Sequence, residues 1–183
     1  SEMCIRDSTM VVQLYMKEKS PYLANQRIVK TPSNRDLFVV EGSWGRRNDK
    51  IFLYTMAGHC LVEVKQVTLS VYPKFKAKMN GHTVAIIKKR PRLLAQPVYT
   101  VSKLGWKASG NYLKRSYKVK RKFKTIMTVE KAVTTFGEFC SLEITNPEDA
   151  PLCCVLAVLI DHYAQGKSCL LYTSPSPRDR QKS

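Results

Sequence analysis

Alternating apolar and polar residues, separated by short turns, dominate the middle of the chain. The alternating segments cover residues 51–56, 59–66, 74–79, 82–90, 98–104, 105–113 and 115–129. Two of the separating turns are Ala57-Gly58 and Asn80-Gly81. An Asn-Gly pair between alternating segments is the strongest short-range signal for a β-hairpin. The pattern therefore predicts antiparallel strands arranged as a meander.

A weak internal repeat runs through the same region. Two sets of residues match at a constant offset of 24 positions: Leu69, Pro73, Phe75 and Ala77 with Leu93, Pro97, Tyr99 and Val101. The segment FGEF (136–139) is a candidate third copy of the turn-then-aromatic element. Such repetition predicts strand pairs laid side by side in one sheet. It does not distinguish an open sheet from a closed barrel.

Residues 147–164 form the one segment with a clear helical character. Asn146 is a candidate cap in front of it, and every residue from Leu152 to Ile160 is apolar. A helix with no face for water must lie inside the protein or in lipid. Residues 151–164 would span about 21 Å, against about 30 Å of bilayer hydrocarbon. We therefore expect a buried helix, with Asp161 bonded to a partner where the helix leaves the core.

A helix without a polar face needs an enclosure on every side. A sheet of many short alternating strands can close around it, and closure also removes exposed strand edges. The sequence therefore predicts a mainly β fold, in which a closed antiparallel β-barrel surrounds one central, hydrophobic C-terminal α-helix.

Several segments, taken in order, are similar to those of a known family. They are LYMKEK (14–19), FVVEGSW (38–44), IFLYTMAGHCLVEVKQ (51–66), YPKFKAKMNGHTVAIIKK (72–89), FGEFCSLEI (136–144) and EDAPLCCVLAVLID (148–161). Their order resembles the LURP-one-related family, which belongs with the Tubby C-terminal domains and the phospholipid scramblases. The resemblance implies a barrel of roughly twelve strands threaded by the C-terminal helix.

The same resemblance implies less about function. Tubby domains bind phosphoinositide headgroups, and scramblases are associated with membranes, but no shared catalytic motif carries over to this chain. Scramblases also place a palmitoylated cysteine cluster and a proline-rich stretch ahead of the barrel, and neither is visible in this sequence. The resemblance therefore favours a lipid-related, non-enzymatic function over a scramblase.

The two ends of the chain differ from the rest. Codons for residues 1–8 can be chosen so that their reverse complement encodes Cys169 to Pro175 in order. This stretch also resembles the mosaic-end adapter of transposase-made sequencing libraries. We therefore interpret residues 1–8 and 169–183 as adapter-derived, and residues 9–168 as a single domain of the LURP-one-related type.

The chain is strongly basic, with 31 Lys and Arg against 14 Asp and Glu and a net charge of +17. The adapter-like ends hold four basic and three acidic residues, so the remainder carries +16. A charge of this size favours anionic partners such as nucleic acid or a lipid surface. Solubility alone could also account for it.

Lysines alternate with apolar residues in two predicted strands. Over 114–124 the lysines share one face, while Tyr117, Val119 and Phe123 share the other. Segment 74–79 repeats this arrangement, and Arg92 and the basic residues just before it could extend the surface. The candidate residues for binding anionic lipid are Lys74, Lys76, Lys78, Lys88, Lys89, Arg90, Lys118, Lys120, Lys122 and Lys124. Because lysines act as point charges, they favour a diffuse anionic surface over one tightly specified headgroup.

The same lysines are also compatible with functions that involve no lipid. They can form a solvated outer face that keeps strands of different molecules apart, as in a protein-interaction scaffold with no lipid role. A nucleic-acid-binding module is a further alternative, but stacking on bases needs exposed rings. Alternation places Tyr117 and Phe123 opposite the lysines, and it leaves Tyr112 undecided.

Residues that could carry catalysis or bind metals form no recognisable pattern. The three histidines, His59, His82 and His162, are scattered, and the cysteines outside the ends, Cys60, Cys140, Cys153 and Cys154, lack CxxC spacing. Cys153 and Cys154 fit small core residues of the helix. We expect no enzyme activity, no cofactor and no metal. We expect a cytoplasmic monomer that associates peripherally with the cytosolic face of a membrane, with anionic lipids as its partners.

Overall fold

The structure, a computed structural model, describes residues 11–18, 25–45, 48–135 and 137–173, with side chains in the C-terminal helix described as far as residue 165. The strands are β1 (Val12–Glu18), β2 (Gln26–Lys30), β3 (Asp36–Ser43), β4 (Lys50–Thr55), β5 (Cys60–Gln66), β6 (Lys74–Met79), β7 (His82–Arg90), β8 (Val98–Ser102), β9 (Trp106–Asn111), β10 (Ser116–Arg121), β11 (Lys124–Thr134) and β12 (Gly137–Ile144). A 3₁₀ turn, Pro147–Asp149, leads into helix α1 (Ala150–Thr173). Residues 1–10 and 174–183, which include most of the adapter-like ends, lie outside the described residues.

Each strand pairs antiparallel with the next one along the chain, and β1 pairs with β12 to close the ring. The closing pair is in register over five residues, from Val12 opposite Ile144 to Met16 opposite Cys140. The predicted closed antiparallel barrel around one C-terminal helix is therefore confirmed. Closure leaves no unpaired strand edge in the described barrel, which removes the hazard that an open sheet presents.

Helix α1 lies inside the barrel because it has no polar face over its first three turns. Its side chains from Leu152 to Asp161 are all buried, and they pack against inward-facing residues such as Val40, Leu53 and Leu142. Asn146 accepts a hydrogen bond from the backbone N–H of Glu148 at 3.1 Å. It thereby caps the 3₁₀ turn that leads into the helix, as its position predicted. Among the described residues, no helix combines the length and the hydropathy that crossing a membrane requires.

One predicted strand is in fact two. The alternating run 115–129 contains a tight hairpin, in which Arg121 is opposite Lys124 and Lys122 takes the left-handed conformation with φ of 55°. The prediction that Phe123 packs inward is therefore wrong, because Phe123 lies at the turn and is 99% exposed. The turn itself interrupts the period of two, because the directly opposite residues Arg121 and Lys124 are three positions apart. A shift in the register of β10 and β11, between Val119 and Lys120, restores the period, so the sequence alternates on both sides of the turn.

The internal repeat corresponds to two adjacent strand pairs, β5–β6 and β7–β8. Their connections cover residues 67–73 and 91–97 and are therefore related by the same 24-residue offset. The two connections flank the paired strands β6 and β7, in which Lys74 is opposite Lys88. Phe136, in the candidate third copy, lies outside the described residues.

The two ends of the barrel carry different connections. Helix α1 enters after β12, at the end that also carries the β4–β5, β6–β7 and β10–β11 turns; we call this the helix-entry end. It leaves at the opposite end, where Asp161 contacts Arg27 of β2 and Arg115 of the β9–β10 turn. We call this the helix-exit end, and it carries the β5–β6, β7–β8 and β9–β10 connections.

Shortening a side chain on the central helix tests its role as the core. Leu156→Ala should lower the free energy of unfolding by about 2–5 kcal/mol, because it leaves a cavity where the barrel cannot collapse. Leu69→Ala is the control, since Leu69 is exposed in the β5–β6 connection, and it should change stability by less than about 0.5 kcal/mol. Urea unfolding followed by circular dichroism measures both, and equal effects would contradict the enclosed-helix architecture.

A basic outer wall and a sealed barrel end

Strand β6 places its lysines on the outer face of the barrel. Phe75 and Ala77 are completely buried, while Lys76 and Lys78 are exposed and Lys74 is half-buried. This is the alternation predicted from the sequence. On the next strand, Lys88 is directly opposite Lys74 and also faces outward.

A single line of cross-strand partners connects β6 with β10. Lys74 is opposite Lys88, Lys88 is opposite Thr100, Thr100 is opposite Lys107, and Lys107 is opposite Lys120. We call Lys74, Lys88, Lys107 and Lys120 the lysine row. Directly opposite residues have Cβ atoms about 5 Å apart, so the row brings together charges that are far apart in sequence. The two basic strands that the sequence indicated thus belong to one surface.

Within the row, like charges are directly opposite each other. Lys74 and Lys88 form one such pair, and Lys107 and Lys120 form another. Like charges in this position destabilise a sheet, and none of the four forms an ion pair with a residue that the structure describes. An anionic partner would relieve this repulsion.

A second line of partners strengthens the charge of the same wall. Lys50, Lys65 and Lys76 are consecutive cross-strand partners on β4, β5 and β6. Lys65 also contacts Glu63, with 3.0 Å between its Nζ and the carboxylate Oε1. Two shallow cavities open on the wall, one of about 290 Å³ beside Lys118 and Lys120 and one of about 210 Å³ beside lysines of β5 and β6.

The sequence contains a signal for this wall that strand-by-strand inspection missed. Between Glu63 and Glu130 there is no Asp or Glu, whereas 17 Lys and Arg occur in that interval. Because the strands are consecutive neighbours, an acid-free stretch of sequence becomes an acid-free sector of barrel wall. Lys107, which joins the two halves of the row, was not among the predicted residues. The acid-free interval would have included it.

Some of the predicted basic residues occupy different positions. Lys89 follows the inward parity of Ala85 and Ile87, and its Nζ lies 5.3 Å from the centre of the Tyr163 ring at the helix-exit end. Lys89 therefore departs from the outer wall. Arg90 is exposed and donates from Nε to Thr100 Oγ1 at 3.2 Å, which ties it to the lysine row.

The lysines between residues 114 and 124 are divided among two strands and two turns. Lys118 and Lys120 are exposed on β10, Lys122 lies in the β10–β11 turn, and Lys124 is the first residue of β11. Lys114 lies in the turn at the opposite end of β10. The five lysines therefore do not lie along one strand, although the sequence predicted that they would. The basic surface is instead formed by the lysine row, which runs across neighbouring strands.

The aromatic rings near the lysines are mostly buried. Tyr112, which the sequence left undecided, is buried and donates a hydrogen bond from its hydroxyl to the Ala108 carbonyl at 2.8 Å. Its ring contacts those of Tyr99 and Tyr117 edge-on. Burial raises the pKa of the Tyr117 hydroxyl well above its ordinary value. These rings form a core cluster and offer no platform for nucleobases.

At the helix-exit end, Asp161 lies buried between two arginines, so the predicted partner at this position is confirmed. Arg27 donates from one terminal nitrogen to Oδ2 at 2.6 Å, and Arg115 donates from Nε to Oδ1 at 2.8 Å. Burial alone would raise the pKa of Asp161, but the hydrogen bond from Arg115 and the charge of Arg27 outweigh it and lower the pKa. A buried charge placed in this way is compensated.

Two further contacts bind the helix to the same end of the barrel. Tyr163 donates from its hydroxyl to Asp49 Oδ2 at 2.6 Å, and Asp49 lies in the β3–β4 connection. The Trp44 ring stacks on His162, with 3.5 Å between ring centres and 6° between planes. Burial lowers the pKa of His162, so this imidazole is neutral at physiological pH. Together with Asp161, these contacts fix the helix in the barrel.

A cavity of about 470 Å³ opens at this end. Its basic side chains include Arg27, Arg115 and Lys131. Arg27 and Arg115 already bind Asp161, and Lys131 Nζ lies 2.7 Å from Glu138 Oε1. Asp161 and Glu138 therefore compensate part of the positive charge around this cavity, to which Lys17 also contributes.

Three of the four cysteines that the structure describes are buried in positions typical of packing, while Cys60 is exposed. Cys153 and Cys154 are completely buried on the helix, and burial raises the pKa of Cys140 to about 12. Such thiols are unreactive. Among the described residues, no group of His, Cys, Asp and Glu has the arrangement of a metal site.

Comparison with known proteins agrees with this architecture. The family model described as LURP-one-related matches residues 12–161. The chain belongs to the LURP-one-related family. It is 23% identical over 151 residues to the uncharacterized protein YxjI of Bacillus subtilis (strain 168), covering 82% of this chain and 93% of that protein. An Arabidopsis thaliana protein solved by X-ray crystallography shares the fold, with a TM-score of 0.58 at 14% identity over 84% of this chain and 91% of that one.

Replacing Asp161 tests the seal at the helix-exit end. Asp161→Asn should lower the free energy of unfolding at pH 7 by about 3 kcal/mol, because it leaves two partly buried arginines uncompensated. The pKa of Asp161 is lower in the folded protein than its ordinary value of 3.8. Its stabilising effect is therefore present above pH 4 or so and is lost as pH falls through the folded-state pKa.

Urea unfolding of wild type and variant at pH 7 and at about pH 3 measures this difference. The gap between the two proteins should narrow at the lower pH. Glu138→Gln is the control, because the Lys131–Glu138 pair is exposed and such pairs contribute little. A gap that is unchanged at low pH would show that Asp161 does not stabilise the fold through its charge.

Proposed function

We propose that this LURP-one-related barrel associates peripherally with anionic phospholipid membranes through the lysine row. The observation that carries the proposal is the row itself: four lysines on five neighbouring strands, in a sector without acidic residues. The activity is non-enzymatic and needs no cofactor. The protein acts as a cytoplasmic monomer that reaches the cytosolic face of a membrane.

The chemistry of the row favours a charged surface over a single headgroup. Each Lys or Arg near an anionic membrane contributes about 1 kcal/mol, and this attraction decays within a Debye length of about 8 Å at physiological ionic strength. Lysine binds as a point charge, without the bidentate geometry of arginine. A row of lysines at sheet spacing therefore suits many headgroups at once, and phosphatidylserine and phosphoinositides both qualify.

Nucleic acid is the second candidate, because phosphate backbones offer the same charge. The buried rings of Tyr112 and Tyr117 count against single-stranded nucleic acid, which proteins bind by stacking bases on exposed aromatic side chains. Phe123 is exposed but isolated in its turn. A scaffold that binds only protein would require neither ligand, and the same experiment separates all three.

Co-sedimentation with vesicles tests the proposal. Residues 9–168 would be mixed with neutral phosphatidylcholine vesicles, with vesicles containing phosphatidylserine and with vesicles containing a phosphoinositide at matched charge, over a salt series. We expect binding that requires anionic lipid and weakens as salt rises. Binding to RNA in the same low-salt buffer, with no binding to any of the vesicles, would favour nucleic acid. If the protein binds neither vesicles nor RNA, the lipid-binding and nucleic-acid-binding hypotheses are both excluded, and the protein-interaction scaffold remains.

Neutralising part of the row gives a residue-level prediction. Lys88→Gln/Lys107→Gln/Lys120→Gln should weaken binding to phosphatidylserine vesicles by about 100-fold at low salt, from about 1 kcal/mol for each charge. The same substitutions should stabilise the sheet slightly, because they remove the repulsion within the Lys74–Lys88 and Lys107–Lys120 pairs.

A matched control has the same change in net charge at positions outside the lysine row. Lys30→Gln/Arg35→Gln/Lys131→Gln removes three positive charges outside the acid-free sector, two of them from surface ion pairs with Asp36 and Glu138. It should weaken vesicle binding by less than about tenfold through its long-range charge alone. Equal losses in the two triple variants would mean that binding follows net charge, and the lysine row would have no special part.

A further inference from the structure

Two connections at the helix-exit end carry leucines that are exposed to solvent. Leu69, in the β5–β6 connection, is 97% exposed, and Leu93 and Leu94, in the β7–β8 connection, are 96% and 97% exposed. Val71 and Tyr72 are also exposed beside Leu69. Fully exposed leucines gain nothing from the fold, so local packing does not account for them.

The positions of these leucines follow the internal repeat. Leu69 and Leu93 are equivalent at the 24-residue offset, and each is the third residue of its connection. The two connections leave the barrel on either side of the β6–β7 pair, where the Pro73 carbonyl accepts a hydrogen bond from the Lys89 backbone N–H at 3.0 Å. The structure thus brings both apolar tips to one edge of the helix-exit end.

The exposed apolar side chains are distributed unevenly over the barrel. Of the large apolar side chains that are exposed among the described residues, seven lie at the helix-exit end: Leu69, Val71, Tyr72, Leu93, Leu94, Leu113 and Val133. The helix-entry end has Val11, Met56 and Phe123, each on a separate element. Only the helix-exit end therefore combines several apolar side chains on neighbouring connections.

Basic residues border the leucines on the side of the lysine row. Lys74 follows the first connection directly, Lys88 and Arg90 precede the second, and Arg92 lies next to Leu93. No acidic residue occurs in either connection or in the strands that flank them between Gln66 and Ser102. Apolar tips with a basic border match the two layers of an anionic bilayer, hydrocarbon below and charged headgroups above. If the leucines bound a groove of another protein, the absence of acidic residues around them would not be required.

We propose that the β5–β6 and β7–β8 connections insert Leu69, Leu93 and Leu94 into the acyl boundary of an anionic bilayer. This inference rests on the proposed function and adds its orientation: the edge of the helix-exit end between β5 and β8 faces the membrane. Tyr72 lies at headgroup depth, where tyrosine is enriched. Lysines of the row nearest this edge, Lys74 and Lys88, contact the headgroups.

Removing the apolar tips should separate insertion from electrostatic attraction. In Leu69→Ser/Leu93→Ser/Leu94→Ser, binding to phosphatidylserine vesicles should fall at least tenfold at physiological salt. Its dependence on salt should stay close to that of wild type, because no charge changes. Thermal stability should be unchanged, since the three side chains contact little of the protein.

The matched control makes the same kind of change at the opposite end. Val11→Ser/Met56→Ser/Phe123→Ser also removes three exposed apolar side chains and no charge. It should bind vesicles as wild type does. Equal losses in both triple variants would overturn the proposed orientation.

A fluorophore that responds to polarity reports insertion directly. The experiment uses residues 9–168 with Cys60→Ser, which removes the thiol that is exposed among the described cysteines. Leu93→Cys and Phe123→Cys would each be labelled on this background with the fluorophore NBD. We expect a blue shift and quenching by spin-labelled acyl chains for the label at position 93 with phosphatidylserine vesicles, and neither at position 123. Vesicle binding without a shift at position 93 would overturn insertion and leave the proposed function standing. Absence of vesicle binding would overturn both.

Discussion

The central constraint on this fold is an α-helix that has no polar side for most of its buried length. Such a helix is stable in water only if apolar side chains surround it completely, and a flat sheet can cover only one side. Twelve strands closed into a ring supply contacts in every direction. The requirement fixes which residue of every strand points inward, since a slip of one position would expose the core face. The alternate residues of each strand face outward, and packing in the core does not constrain them.

The helix-exit end shows how the constraint is relaxed where the helix leaves the core. The apolar run ends at Asp161, and the charge of this residue lies in a region that is still shielded from water. Arg27 and Arg115 compensate the carboxylate from two sides, and the nearby Tyr163 bonds to Asp49. These polar contacts come from β2, the β9–β10 turn and the β3–β4 connection. They link separate parts of the ring to the helix, so the helix position and barrel closure stabilise each other.

How much the sequence predicts follows from the range of the interactions involved. The barrel, the central helix and the outward lysines of β6 were predictable because each depends on parity or on one uninterrupted apolar run. The exposure of Phe123 was not, since the register shift between β10 and β11 restores the alternation that the two-residue turn interrupts, and residues 115–129 resemble one strand. Lys107 was missed because its importance comes from register with Lys120 and Thr100, a relation across strands. Lys89 alternates like its neighbours, but its inward parity brings it over Tyr163 only where the barrel opens.

The outer wall shows that stability alone does not explain the choice of residues. Lys74 opposite Lys88 and Lys107 opposite Lys120 each raise the free energy of the folded sheet, although a neutral polar residue would have served equally well in water. The fully exposed leucines in the two adjacent connections do not stabilise the folded protein either. Both features lie on β6–β10 or on the connections that adjoin these strands, while Glu130, Glu138 and Glu143 lie on β11 and β12, outside this acid-free sector. Under the proposed function, an anionic bilayer would offset both costs, because it supplies negative charge and an apolar layer together.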